Sequence, residues 1–332
     1  MKIGDTAIHP GKAVFLRAAA LLGSRKAMKT AADSAKEKSL FFNGGKTAAE
    51  MLPNLILIGA KKCATTSLHY YLSLHPDIFM SAHKELNFFV EELNWRKGLR
   101  WYEKQFPVPA IIRGESSPNY TQYPVFRGVA KRIHAVIPQA RLIYMVRDPV
   151  EQLVSAYLQD VKAGIETRTL DEIIKSESKQ SPYVEGACYH FQLKRFLEYY
   201  SLPQILVLAA EDLKKNPDET MARVFKFLGV DAGFRSEEFH SQKNVAGENV
   251  TQKQSKLERL AHDREGHWLG HAAAVLTPVY LKFRKRKAVP LQRDVPEFVP
   301  SPELKQSLRV YFEADIHALR ELTGKKLQDW SV

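Results

Sequence analysis

Leu55-Ile56-Leu57-Ile58-Gly59-Ala60-Lys61-Lys62-Cys63-Ala64-Thr65-Thr66-Ser67 decides how the rest of the chain is read. Four consecutive branched apolar residues ending at a glycine predict a strand buried on both faces. A loop of small residues follows, carrying two lysines early and two threonines late. Residues 67–75 then place apolar side chains at helical spacing, and Pro76 and Asp77 end the run. Strand, loop and helix in this order bring backbone N–H groups, hydroxyls and ammonium groups together, a combination that suits a phosphate. The loop is not a Walker A motif, which needs a second glycine followed by Lys and Ser/Thr. Taken alone, it is equally well read as solvated lysines beside threonines that cap a helix.

Working outward, Arg141-Leu142-Ile143-Tyr144-Met145-Val146 predicts a second buried strand. It runs into a well-specified helix start, with Asp148 as N-cap, Pro149 at the first helical position and Glu151 in the first turn. Val150, Leu153, Val154, Tyr157, Leu158 and Val161 then fall on one face. Residues 204–210 predict a third strand, followed by a helix opened at Asn216-Pro217 and closed by Gly229. Alternating strands and helices predict an α/β fold with a central parallel sheet flanked by helices on both faces. In such sheets ligands sit at the carboxyl ends of strands, which directs attention to the loops after Gly59 and Val146.

The whole chain is consistent with one large domain over 51–332 preceded by a basic arm over 1–50, rich in Ala, Lys and Ser. Its 332 residues carry a net charge of +12, which favours an anionic partner without choosing among nucleic acid, membrane, glycan and nucleotide. Two distant cysteines, Cys63 and Cys188, exclude a disulfide scaffold and favour a reducing compartment. No apolar run approaches the ~20 residues that span a bilayer. A soluble, cytoplasmic protein is the expectation.

Four stretches in order carry a resemblance to a family. Residues 57–76, around Lys61-Lys62-Cys63-Ala64-Thr65-Thr66-Ser67, closely resemble the 5′-phosphosulfate loop of sulfotransferases that use 3′-phosphoadenosine 5′-phosphosulfate (PAPS). The likeness is to the heparan-sulfate-type branch and its bacterial relatives. Residues 141–149, with Ser155 and Tyr157 downstream, look like the family's 3′-phosphate site. Residues 181–193, including Tyr189, are similar to a third nucleotide-contacting stretch, and residues 304–330 resemble the branch's closing helix and turn. The resemblance covers roughly residues 53–330 and implies a single P-loop-like domain.

It also implies roles. Lys62 would stabilise charge on the bridging and leaving oxygens, while Lys61 either adds to that field or faces solvent. Cys63, Ala64, Thr65, Thr66 and Ser67 would line the 5′-phosphate, and Arg147, Ser155, Tyr189 and Lys243 the rest of the nucleotide. Glu85, ahead of Phe88-Phe89, matches the branch's general base, with His83 as a fallback. Read from the residues alone, Glu85 is an exposed carboxylate paired with Lys84 or Lys62, and Arg147 a helix-start partner of Glu151. Asn87 stands where relatives often carry His, and Ser116 where some carry Lys. Cys63, close to lysines, is expected to pack with a lowered thiol pKa. The implied reaction takes PAPS as co-substrate, releases 3′-phosphoadenosine 5′-phosphate (PAP), needs no metal, and uses a saccharide or glycolipid acceptor.

Two rival functions remain open: a Mg²⁺-dependent nucleotide kinase, disfavoured by Arg147 where a strand-end Asp would hold the metal, and a non-catalytic nucleotide or polyanion binder. His267 and His271 fall on one helical face, but with His262 they lack the Cys, second clustered pair or HExxH order of a metal site, and a metal is disfavoured. The basic run at 282–287 could touch anionic lipid or a polyanionic acceptor. Nucleic-acid binding is disfavoured because the basic residues are not interleaved with the aromatic motifs of a known reader.

Overall fold

The computed structural model describes residues 52–240 and 300–332. Five parallel strands form one sheet in the order β2-β3-β1-β4-β5: β1 Leu55–Gly59, β2 Ile78–Met80, β3 Ile112–Ser116, β4 Arg141–Val146 and β5 Ile205–Ala209. Every residue of β1 is buried, as is β4 from Leu142 onward, so helices must cover both faces of the sheet there. Between and after the strands run α1 Thr65–Ser73, α2 Leu99–Glu103, α3 Val129–Val136, α4 Pro149–Lys162, α5 Leu170–Glu177, α6 Pro182–Ala187, α7 Tyr189–Leu197, α8 Ala210–Lys215, α9 Pro217–Leu228 and α10 Pro302–Thr323. Among the described residues, no helix is long and apolar enough to cross a membrane.

The predicted α/β architecture is the observed one. The chain visits β2 and β3 on one side of β1 before returning to place β4 on the other. The carboxyl ends of β1 and β4 therefore flank the point where the connections diverge, the usual ligand crevice of an open parallel sheet. The Ala60 N–H donates to the Met145 carbonyl at 2.7 Å, pinning the loop after β1 against the end of β4.

Local signals act as expected at most boundaries. The Asp148 carboxylate accepts from the N–H groups of Val150 and Glu151 at 3.0 Å each, so α4 starts where the cap predicts. Gly229 closes α9 in the left-handed region, φ 72°. Two differences matter. Helix α1 begins at Thr65 and ends at Ser73, about one half-turn earlier than the apolar spacing indicates, so both threonines lie in its first turn. Strands β2 and β3 carry no clear signal in the sequence, β3 because it reads Ile-Arg-Gly-Glu-Ser.

Candidate active site

The phosphate loop is held by the core on three sides. At Gly59, φ is +152°, and a Cβ there would meet Thr121 Oγ1 at 2.0 Å, so only glycine fits. Gln152 of α4 donates its Nε2 to the Lys61 carbonyl at 2.9 Å. Lys62 and Ala64 take left-handed backbone angles, φ 66° and 57°, which turn the chain into α1. The internal bonds of α1 begin with the Leu68 N–H to the Ala64 carbonyl at 3.1 Å, and Ala64 offers no side-chain cap. The N–H groups of Thr65, Thr66 and Ser67 thus face the loop with no helical partner, as an anion requires.

Cys63 corrects an expectation. It is fully buried, and burial pushes its thiol up to about 12 despite nearby cations, so its role is packing without thiolate character. Its Sγ lies 3.6 Å from the Tyr189 hydroxyl, which also accepts from the Arg147 N–H at 3.3 Å. Tyr189 is likewise fully buried. Neither side chain reaches the crevice; Tyr189 instead joins the loop after β1 to the loop after β4 from below.

The charges that act most strongly on Lys62 are cationic. Its pKa is lowered by partial burial first, then by Lys61, Arg147, Lys162 and Lys84. An anion bound among them would relieve that repulsion. Lys61 is already engaged by Asp160 of α4 at 3.4 Å, and Asp160 also accepts from the Tyr183 hydroxyl at 3.1 Å. Arg147 pairs with Glu151 at 2.6 Å, a surface pair between half-exposed groups that a phosphate could displace. Ser155, half-buried, lies three residues beyond Gln152 on the stripe of α4 nearest the loop.

The second loop, residues 81–89, follows β2 and hangs from the end of β3. Glu85 N–H donates to the Ser116 carbonyl at 2.8 Å and Asn87 N–H to Ser117 Oγ at 2.9 Å. Both Glu85 and Asn87 are left-handed, φ 65° and 47°. The Glu85 carboxylate is half-exposed and accepts from Lys84 Nζ at 2.7 Å. Lys84 thus pairs with Glu85 and also acts on Lys62. His69, on α1, lies between the two loops near Ser81 and Lys84, and its pKa is drawn down to about 4, by burial first and then by Lys84.

Several groups here have no obvious signal in the sequence. Gln152, Asp160 and Lys162 of α4, and Lys84, brace the phosphate loop or act on Lys62, and nothing in their spacing nominates them. Among the described residues eight buried polar side-chain atoms lack a hydrogen-bond partner. Four of them, His69 Nδ1, Asn87 Oδ1, Ser116 Oγ and Gln152 Oε1, belong to these loops and the elements beside them. Each such group calls for a partner beyond the protein's own side chains, and a bound polar ligand or water is one. Lys243, the 262–271 histidines, the 282–287 run and the arm at 1–50 lie outside the described residues.

Comparison with known proteins points the same way. The chain is 31% identical over 202 residues to the human bifunctional heparan sulfate N-deacetylase/N-sulfotransferase 2, a match covering 54% of this chain and 22% of that protein. It is 29% identical over 219 residues to human heparan sulfate glucosamine 3-O-sulfotransferase 3B1, covering 64% of this chain and 54% of that protein. The chain thus spans about half or less of the length of these relatives. The fold matches a solved sulfotransferase from Alicyclobacillus acidocaldarius with TM-score 0.60 and 23% identity, over 84% of this chain and 99% of that one. The family model for the sulfotransferase domain matches residues 52–268, a span that takes in both loops, β4 and more than half of the sequence, and the chain belongs to the sulfotransferase family.

Proposed function

We propose that this chain transfers a sulfuryl group from PAPS to a hydroxyl or amine of a saccharide acceptor. The observation that carries the proposal is the convergence of Lys61, Lys62, Lys84, Arg147 and Lys162 beside the N-terminus of α1, with a carboxylate, Glu85, on the adjoining loop. A nucleotide bearing a 5′-phosphosulfate and a 3′-phosphate has the charge to occupy such a cluster. The saccharide acceptor is favoured by the kinship with enzymes named for heparan sulfate N- and 3-O-sulfation.

In this reading Thr65, Thr66 and Ser67 hold the 5′-phosphate through backbone N–H groups and hydroxyls, Arg147 and Ser155 serve the 3′-phosphate, and Lys243 closes over the nucleotide. Lys62 neutralises charge that builds on the bridging oxygen as the S–O bond to phosphate breaks. Glu85 takes the proton from the acceptor as its oxygen or nitrogen bonds to sulfur in line with the departing PAP. For that step Lys84 must release Glu85, and an anionic acceptor or donor would draw it away. Positioning and electrostatics supply the rate, with no metal required by any named residue. A membrane contact for the acceptor is compatible with the basic segment at 282–287.

The test is transfer of radiolabelled sulfate from PAPS, in EDTA, to polysaccharides, glycolipids and small phenols. Label on a saccharide, lost by about 10²-fold or more in Lys62→Ala and in Glu85→Gln, is the expected result. Metal-dependent ATP turnover without sulfate transfer would favour a kinase, and tight PAPS binding indifferent to Glu85→Gln with no transfer would favour a binder.

A further inference from the structure

We propose that Glu115, a carboxylate sealed in the core beneath the second loop, is a positioning residue that sets the backbone carrying Glu85. It is fully buried at the carboxyl end of β3 and touches neither the crevice nor any cation. Its carboxylate accepts three hydroxyl protons: from Ser117 at 2.5 Å, from Tyr120 at 2.6 Å and from Tyr102 at 2.9 Å. A hydroxyl has one proton to give. Once Ser117 and Tyr120 have committed theirs to Glu115, their oxygen lone pairs are left to accept. Both accept from the loop, Ser117 Oγ from Asn87 N–H at 2.9 Å and the Tyr120 hydroxyl from Phe89 N–H at 3.4 Å.

The consequence is a ladder. The N–H groups of residues 85, 87 and 89 reach in turn the Ser116 carbonyl, the Ser117 hydroxyl and the Tyr120 hydroxyl, and two of these three rungs are aimed by one buried charge. The third hydroxyl partner, Tyr102, stacks on Phe88 with ring centroids 4.2 Å apart and planes 9° from parallel, so the loop is gripped by side chain as well as backbone. Left-handed angles at Glu85 and Asn87 persist only where the surroundings over-determine them, and this network is what does so. A core carboxylate is an expensive way to fill space; its geometry here is explained by what it orients.

The inference rests on the reading of Glu85 as base. Glu115→Gln would replace an acceptor with a group that must also donate, forcing one hydroxyl to turn and releasing its rung. Because that carboxylate is buried, Ser117→Ala is the paired variant: it keeps the bonds from Tyr102 and Tyr120 to Glu115 and removes one hydroxyl, with its bond to Glu115 and its link to Asn87. Expected are a kcat for sulfate transfer lowered about 10²-fold in Glu115→Gln and roughly tenfold in Ser117→Ala, with the calorimetric Kd for PAP unchanged in both. In a Glu85→Gln background neither substitution should lower the residual rate further, since the base they position is gone. Losses that multiply in that background, PAP affinity falling in step with kcat, or Ser117→Ala at the wild-type rate beside an inactive Glu85→Gln, would overturn the positioning role alone. Glu85→Gln at the wild-type rate would sink the base assignment and the positioning role with it.

Discussion

The two loops of the crevice leave strands on either side of β3 and share a backbone device, a pair of non-glycine residues with left-handed angles: Lys62 and Ala64 in one, Glu85 and Asn87 in the other. They are held by opposite means. The phosphate loop is held by the sheet itself, through the Ala60 bond to β4, the Gly59 contact with Thr121 and the buried Cys63. The second loop is held by polar groups ordered around one buried carboxylate. On the proposed reading, a loop that binds a fixed phosphate can be part of the core, whereas one that presents a base to a varied acceptor is tethered by its backbone while the Glu85 carboxylate stays half-exposed.

That contrast can be broken most severely at Gly59. Gly59→Ala drives a methyl into Thr121, and we expect a stability loss of about 1–3 kcal/mol together with loss of PAP binding, read by urea unfolding and calorimetry. Unchanged PAP affinity would mean that the loop is less tied to the sheet than its contacts indicate. A smaller effect is expected from Gln152→Ala, which removes the donor to the Lys61 carbonyl: about 1 kcal/mol in stability, with KM for PAPS rising more than kcat falls. A fall in kcat at constant KM would assign Gln152 to the chemistry instead of the donor loop.

The mildest test sits where the loops meet. His69 is held near 4 when folded, against about 6.5 in an unfolded chain. Between those values the unfolded state binds more protons, so stability falls as pH drops through the window and is unaffected above it. His69→Leu should flatten the decline of the urea midpoint between about pH 6.5 and 4 while leaving the curve above that window parallel to wild type. A slope identical to wild type would show that His69 is not enclosed between Ser81 and Lys84.

How far the chain could be read in advance follows from the same physics. Strands β1, β4 and β5 are continuous apolar runs because both their faces are covered, and such runs are visible in any linear reading. Strand β3 is invisible because Arg113 and Glu115 interrupt it, and they are tolerated because hydrogen-bond partners gathered by the fold satisfy them. Arg113 bonds the Leu52 and Ala110 carbonyls, and Glu115 the hydroxyls of Tyr102, Ser117 and Tyr120. Among the site residues, the lysines and hydroxyls of the phosphate loop declare themselves by spacing. The side chains of Cys63 and Tyr189 prove fully buried, a depth that a motif's residue type and order do not give.

The chain's order of apolar runs, caps and glycines thus determined by itself a parallel α/β sheet, the crevice at the ends of β1 and β4, and a basic loop suited to an anion. Those properties are local, written into a few neighbouring residues each. Only the tertiary structure decided that Glu85 pairs with Lys84 and not Lys62, and that a carboxylate at position 115 lies under the second loop. For Glu115, hydrogen bonds from residues on either side of it in the chain, brought together in the core, make burying a charge sustainable, and that compensation cannot be read from the residue alone.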